Sequence, residues 1–346
     1  ANKVSTSQTG SIDSRLDALR SVVEIYNTSL TSLAPLSTGG AAGDSMGSNW
    51  GFFTNFGSIV GDKDQSEFSD AVDFDGTQLS IGADYRLKSN WVVGASLGYD
   101  KLDSSLLRTD FDVDDTLKPR VADGQTNLES NSVSLYAMYE NDRYYVSGVA
   151  TQSSLSYDME RLIAYQSNNS SVPGGNSLAK ASSDGSQTSL GVTAGVSFNQ
   201  GSITQNIEAG YSATTTDIDA YTESNADVLN YSVDKQQIDS SVLSLQAKIS
   251  KVISKESGVY IPFLQGRLIK QLEDKQHAIT AKYEVFDSEA SFTILPDEPE
   301  TEFAVIGIGV TAVFQNGIQA YVSASTIQAY ENLDATQINA GLRIGL

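Results

Sequence analysis

FAVIGIGVTAVF (residues 303–314) is followed by QNG (315–317), IQAYVSASTIQAY (318–330) and, after a short polar link, TQINAGLRIGL (336–346). In the first run Ala304, Ile306, Ile308, Val310, Ala312 and Phe314 fall on one parity, with Gly307, Gly309 and Thr311 on the other. Ile318, Ala320, Val322 and Ala324 then alternate with Gln319, Tyr321, Ser323 and Ser325. The last run sets Ile338, Ala340, Leu342 and Ile344 against Asn339, Gly341, Arg343 and Gly345. A period of two means strands with one apolar and one polar face. Strands of soluble sandwiches usually run about 5–6 residues. These run about 10 or more, the length that a tilted strand needs to cross a bilayer.

The same pattern extends back to Trp50. Alternating segments occupy Trp50–Val60, Phe74–Leu87, Trp91–Asp103, Leu128–Glu140, Tyr144–Tyr157, Gln187–Phe198, Ser202–Thr215, Gln237–Ile253 and Val259–Leu272. Tight turns join them in pairs, with Asn316-Gly317 the strongest hairpin signal. The connections between hairpins are longer and rich in Asp, Ser and Asn: Asp62–Asp73, Ser104–Asn127, Met159–Ser186, Asp217–Gln236 and Glu284–Glu302. About twelve strands, joined alternately by short turns and long loops, predict an all-β fold, a closed antiparallel transmembrane β-barrel. Closure pairs every backbone group, as lipid requires. Trp91, Tyr144, Tyr145, Phe198, Tyr260 and Phe314 lie beside the tight turns, where an interfacial girdle is expected.

Composition narrows the function. The chain holds 43 Asp+Glu against 22 Lys+Arg, a net charge of −21, which excludes a phosphate-binding basic stripe and hence nucleic acid. Without cysteine there is no disulfide, thiol catalysis or Cys-ligated zinc, and His277 alone cannot build a His-rich metal site. Mean hydropathy is −0.21. No apolar run reaches the roughly 20 residues of a membrane helix, a test to which barrels are invisible. The sequence begins on polar residues, so a leader was either removed or never present.

Ahead of the strands lies one amphipathic segment. Ile12, Leu16, Leu19, Val22, Val23, Tyr26 and Leu30 recur at helical steps from Ser11 to about Leu33. Ser14-Arg15-Leu16-Asp17 fits a capping pattern, Ser11 being an equally good start, and Pro35 with Gly39-Gly40 ends it. The expected organisation is a short segment over 1–10, a helix over 11–36, a Gly/Ser/Ala linker over 37–49 and the barrel over 50–346.

With these pieces laid out, the chain resembles the autotransporter β-domain, the translocator of type V secretion, from Trp50 to Leu346. Asp73-Phe74-Asp75, Leu79–Arg86 (LSIGADYR) and Val93–Tyr99 (VGASLGY) match its opening strands; Ala278–Ala281, Phe303–Phe314 and Asn316-Gly317 match its final third. The resemblance implies a twelve-stranded barrel with an N-terminal helix in its pore. Segment 11–36 then becomes the pore helix, with Leu16, Asp17, Arg20, Val23 and Glu24 on it. Parity places Asp84, Arg86, Glu208, Arg267 and Arg343 on the lumen face, where Asp17, Arg20 and Glu24 are the candidate helix-side partners; the alternative is that these charges solvate a wet pore and contact one another. Two features depart from the family. The last residue is Leu346 rather than an aromatic, and only Ala1–Gly10 stands where a passenger would be. Either a passenger has been cut away or the barrel exports almost nothing. Some relatives cleave between paired asparagines in the helix; here Asn27 precedes Thr28, so that chemistry is not expected.

Two motifs mimic enzymes. Gly94-Ala95-Ser96-Leu97-Gly98 spells a nucleophile elbow but lies inside a strand rather than at a strand-to-helix turn. Gly43-Asp44-Ser45 with Asp274 and His277 mimics an esterase, without room before Trp50 for its α/β domain. Neither is read as catalytic, and no cofactor is expected. Asp110–Asp115 and Glu284–Glu302 are read as solvated acidic loops, with Ca²⁺ binding or divalent bridging to lipopolysaccharide as the alternative. Expected partners are outer-membrane lipid and lipopolysaccharide, the barrel-assembly machinery, and a surface protein met through those loops. The leading functional expectation is translocation or anchoring of an N-terminal segment at the surface of a Gram-negative bacterium. In that reading the long loops are extracellular and the barrel termini periplasmic. A passenger-less structural barrel and a small diffusion pore are the alternatives.

Overall fold

The computed structural model describes residues 49–65, 71–87, 90–107, 124–141, 143–165, 175–272, 279–283, 291–294, 300–315 and 317–345. The expected helix over 11–36, its flanking segments, His277, Asn316 and the Asp110–Asp115 run lie outside the described residues. In chain order the strands begin with β1 (Trp50–Lys63), β2 (Ala71–Arg86), β3 (Trp91–Leu107), β4 (Gly124–Glu140), β5 (Tyr144–Tyr165), β6 (Gly175–Gln200) and β7 (Ile203–Ile218). They continue as β8 (Tyr221–Thr222), β9 (Tyr231–Val233), β10 (Gln236–Lys251), β11 (Ile253–Lys255), β12 (Gly258–Gln271), β13 (Ile279–Tyr283) and β14 (Ser291–Ile294). The last three are β15 (Glu302–Phe314), β16 (Ile318–Gln328) and β17 (Leu333–Gly345).

Strands β1–β7, β10, β12, β15, β16 and β17 form one closed antiparallel barrel of twelve strands, and β11 continues β10 in the same register. The first and last strands zip together from Gly51↔Gly345 to Lys63↔Leu333, so no edge is left open. Short turns close one end. There Asn141 Oδ1 accepts the backbone N–H groups of Arg143 and Tyr144, and Gly201 and Gly317 take positive φ of 63° and 80°. The long connections lie at the other end.

Several strands are much longer than the alternation suggests. The sequence reading ends a strand at Tyr157 and starts the next at Gln187; β5 runs to Tyr165 and β6 begins at Gly175. The 26 residues of β6 exceed the roughly 9–11 that cross a bilayer. The reason is an inversion of polarity along each strand. Near the turn end of β2, Leu79 and Ile81 point outward, about half exposed, while Ser80 and Asp84 are buried inward. Towards the loop end the same parities carry Asp73 and Asp75 outward, and Val72 and Phe74 inward, buried. On β4 the outward residues change from Leu135 and Val133 to Asn131, Glu129 and Asn127, while the buried face reaches Leu128. The lower barrel is therefore apolar outside and polar inside, as lipid demands, and the upper barrel is polar outside with an apolar core, as water demands. A search for apolar-out alternation stops where the phase flips.

The long connections are folded in part. The stretch Asp217–Gln236, expected to be a loop, contains β8, a single 3₁₀ turn at Asp227–Leu229 and β9. Strands β13 and β14 come from the connection between β12 and β15, and the four short strands form a second sheet in the order β14-β13-β9-β8.

Candidate functional site: the lumen

Inward side chains make the site, and they fall into two levels. At the lower level the wall is polar. Arg343 on β17 donates to Asp84 on β2 through Nη2 (2.6 Å) and Nε (3.2 Å), reaching across β1. A Cβ at Gly51, the β1 residue between them, would stand 2.6 Å from Arg343 Nη2 and 2.7 Å from Asp84 Oδ1, so glycine makes the crossing possible. On the opposite wall the Tyr145 hydroxyl donates to Glu208 at 2.6 Å, and Arg267 donates twice to Gln246 Oε1, at 2.7 and 3.0 Å. Lys248 sits over the Phe263 ring at 4.1 Å, and Glu208 interacts electrostatically with both Lys248 and Arg267. Arg86, near the turn end, lies within Coulombic reach of Glu140. Hydroxyl pairs such as Ser134–Thr151 and Ser189–Thr214 fill the wall between the charges.

Bulky inward rings do not obstruct this level, because they lie against the wall. Tyr145 is directly opposite Gly195 in register and Tyr136 opposite Gly94, and in each case the ring covers the space a side chain would take. A small recess remains beside Ser147, Gly191, Thr193, Glu208, Ser244 and Arg267.

The upper level is filled. Leu102, Leu128, Tyr157 and Ile218 from the wall pack with Tyr221, Tyr231, Val233, Ile279 and Ala281 from the small sheet in one apolar cluster. Leu333 and Ala335 join the cluster from β17. Among the described residues, polar contacts tie the small sheet to the wall at two places. Lys180 and Ser224 form a two-way backbone bridge, with N···O distances of 3.0 and 2.8 Å. Arg161 on β5 grips Glu223 with paired hydrogen bonds of 3.0 and 2.5 Å, both side chains 4% exposed or less. Glu223 also accepts the Tyr231 N–H at 3.1 Å, Arg161 donates to the Leu229 carbonyl at 3.0 Å, and the Tyr231 ring lies 4.1 Å from the guanidinium. Burial pushes the Tyr231 and Tyr157 hydroxyls well above the usual tyrosine range.

Of the residues singled out in the sequence, Asp84, Arg86, Glu208, Arg267 and Arg343 all sit on the inward parity; Asp84 and Arg343 meet, whereas Glu208 accepts from Tyr145 and Arg267 donates to Gln246. Leu16, Asp17, Arg20, Val23 and Glu24 lie outside the described residues. Tyr145 is not part of an outer girdle: it is buried inward, because its neighbour Tyr144 takes the outward position. Lys248 was missed, although the parity that finds Glu208 applies equally to a lysine between Ala247 and Ile249. The Arg161–Glu223 clasp was missed because its residues lie in stretches read as loop. Gly94–Gly98 lies in the middle of β3, as a continuous strand. Among the described residues no group of three or more His, Cys, Asp or Glu side chains converges as a metal site would.

The fold has solved counterparts. The translocator domain of autotransporter NalP from Neisseria meningitidis superposes with a TM-score of 0.69 at 16% identity, over 94% of this chain and 98% of that one. The β-domain of the Bordetella autotransporter BrkA gives a TM-score of 0.58 at 17% identity, over 86% and 100%. The transport unit of AIDA-I from Escherichia coli gives 0.56 at 12%, over 93% and 97%. No curated protein sequence matches the chain. Residues 38–325 match the autotransporter beta-domain family, so the chain belongs to that family, as a twelve-stranded barrel of the Gram-negative outer membrane.

Proposed function

We propose that this barrel translocates or anchors an N-terminal segment at the cell surface, without a catalytic centre. The observation that carries the reading is the lower lumen. Its charges and hydroxyls are held against the wall by Asp84–Arg343 and Tyr145–Glu208, leaving a polar bore inside an apolar band. Such a bore solvates a polar chain passing through lipid. The short turns then face the periplasm and the long connections face outward. Trp50 begins β1 at the turn end, the side from which residues 1–49 would enter the bore in this reading. The helix over 11–36 lies in the bore, with Asp17, Arg20 and Glu24 against the charged wall. The apolar band contacts outer-membrane lipid, the acidic upper exterior meets lipopolysaccharide, and the assembly machinery inserts the barrel. The folded small sheet at the loop end favours a second reading, in which a passenger-less barrel displays that sheet to a surface protein.

The test is an epitope tag placed ahead of Ala1 behind a secretion leader. Protease added to intact cells is expected to remove the tag. A tag cleaved only after the outer membrane is permeabilised would overturn export and leave the second reading.

A further inference from the structure

We infer that the small sheet β14-β13-β9-β8 is a gate that shuts the outer end of the lumen, with Arg161–Glu223 as its latch. Residues facing an open bore would be wet. Leu128 on β4 and Leu102 on β3 face inward yet are only 3% and 6% exposed, and Tyr157 on β5 is 0% exposed. Ile279 and Ala281 on the small sheet, each 1% exposed, belong to the same cluster as these wall residues. The cluster also takes in Phe74 on β2 and Leu333 on β17, so it bridges strands from around the bore rather than lining one wall. An extended or helical segment about 10 Å wide has no path through a packed apolar core. Among the described residues the gate meets the wall through the Lys180–Ser224 bridge, the apolar contacts and the clasp, in which a guanidinium and a carboxylate are out of water and satisfy one another. Removing either partner leaves a buried charge alone, so the closed state depends strongly on the pair. Passage through the bore then requires the gate to lift from the wall, and the gate folds shut only on an empty or finished pore.

This inference rests on the barrel fold and not on export of any segment; a tag threaded to the surface would hold the gate lifted, so the thiol experiment uses the untagged chain and its failure is distinguishable from that of the tag experiment. The chain has no cysteine, so single thiols report without background. Ala281→Cys places one on the gate and Ala335→Cys one on the β17 wall, both in the buried cluster; Ser156→Cys is the exposed control on the outside of β5. In the purified 346-residue chain, a charged maleimide is expected to modify the control at once and both buried thiols slowly. Adding Glu223→Ala, or separately Arg161→Ala, is expected to speed both buried thiols together by about a hundredfold with the control unchanged. Two results would overturn the gate: buried thiols reacting as fast as the control in the parent chain, or both remaining protected in the two latch variants. Heat-modifiable migration on gels confirms that the barrel persists in each variant, and agreement between the Glu223 and Arg161 variants guards against a local folding defect in either.

Discussion

Asp84 and Arg343 are 259 residues apart in sequence and 2.6 Å apart in space, joined across β1 over the bare backbone of Gly51. The pair stitches the first two strands to the last one at the seam where the barrel closes. Arg343→Ala leaves the Asp84 carboxylate, 8% exposed, without this cation. The expected loss is about 1–3 kcal/mol in urea unfolding, since Arg343 itself is partly wet. In Asp84→Asn the same arginine change is expected to cost clearly less, and equal costs in both backgrounds would mean the pair does not couple.

The Arg161–Glu223 clasp is a dry ion pair, so single and double changes should diverge. Arg161→Met or Glu223→Leu alone is expected to destabilise the loop end by roughly 3–5 kcal/mol. The double variant is expected to recover part of that loss, because apolar side chains fill the same volume but no longer pair with the Tyr231 N–H and the Leu229 carbonyl. Protease susceptibility of the connection around Asp227–Leu229 provides the measurement.

Gly195 lies under the Tyr145 ring. Gly195→Val is expected to push that ring into the bore, break its 2.6 Å bond to Glu208 and cost about 1–3 kcal/mol. Tyrosine fluorescence together with unfolding midpoints would check it; an unchanged midpoint would mean the wall relaxes around the new side chain.

At the upper rim Asp62 faces Asp334 and Asp73 in register on its two neighbouring strands. Partial desolvation, then the charges of Asp334, Asp64 and Asp73, hold its carboxyl above the usual range. A raised acid pKa means the folded chain holds this proton more tightly than the unfolded chain. Its contribution to stability is therefore present in acid and lost as pH rises through the folded pKa. Asp62→Asn should be slightly more stable than the parent at neutral pH, with the difference vanishing below about pH 4 and shrinking in salt. Thermal melts at two pH values decide it; a difference that persists in acid would point away from charge.

The period of two, followed from Trp50 to Leu346, was enough to find the strands, their lengths at the membrane and their number, about twelve. Bilayer-level alternation is a local property, set by lipid on one side and water on the other. Parity also assigned Asp84, Arg86, Glu208, Arg267 and Arg343 to one face. Which of them meet could not be read, because contact depends on register between strands distant in sequence: Gly51 stands opposite both Asp84 and Gly345 only once the barrel closes.

The upper level was hidden for a different reason. Beyond the membrane the same strands reverse phase, so Phe74 and Leu128 look misplaced to a reader following apolar-out alternation. The Asp-, Ser- and Asn-rich stretch around Glu223 looks like loop. It folds because the neighbouring wall, far away in sequence, presents an apolar surface and one buried arginine to it. Local alternation, imposed residue by residue through the solvent on each face, determined the barrel from sequence alone. The filled upper lumen was decided only by the tertiary structure, since burial there is a property of strands brought together by closure and not of any one segment.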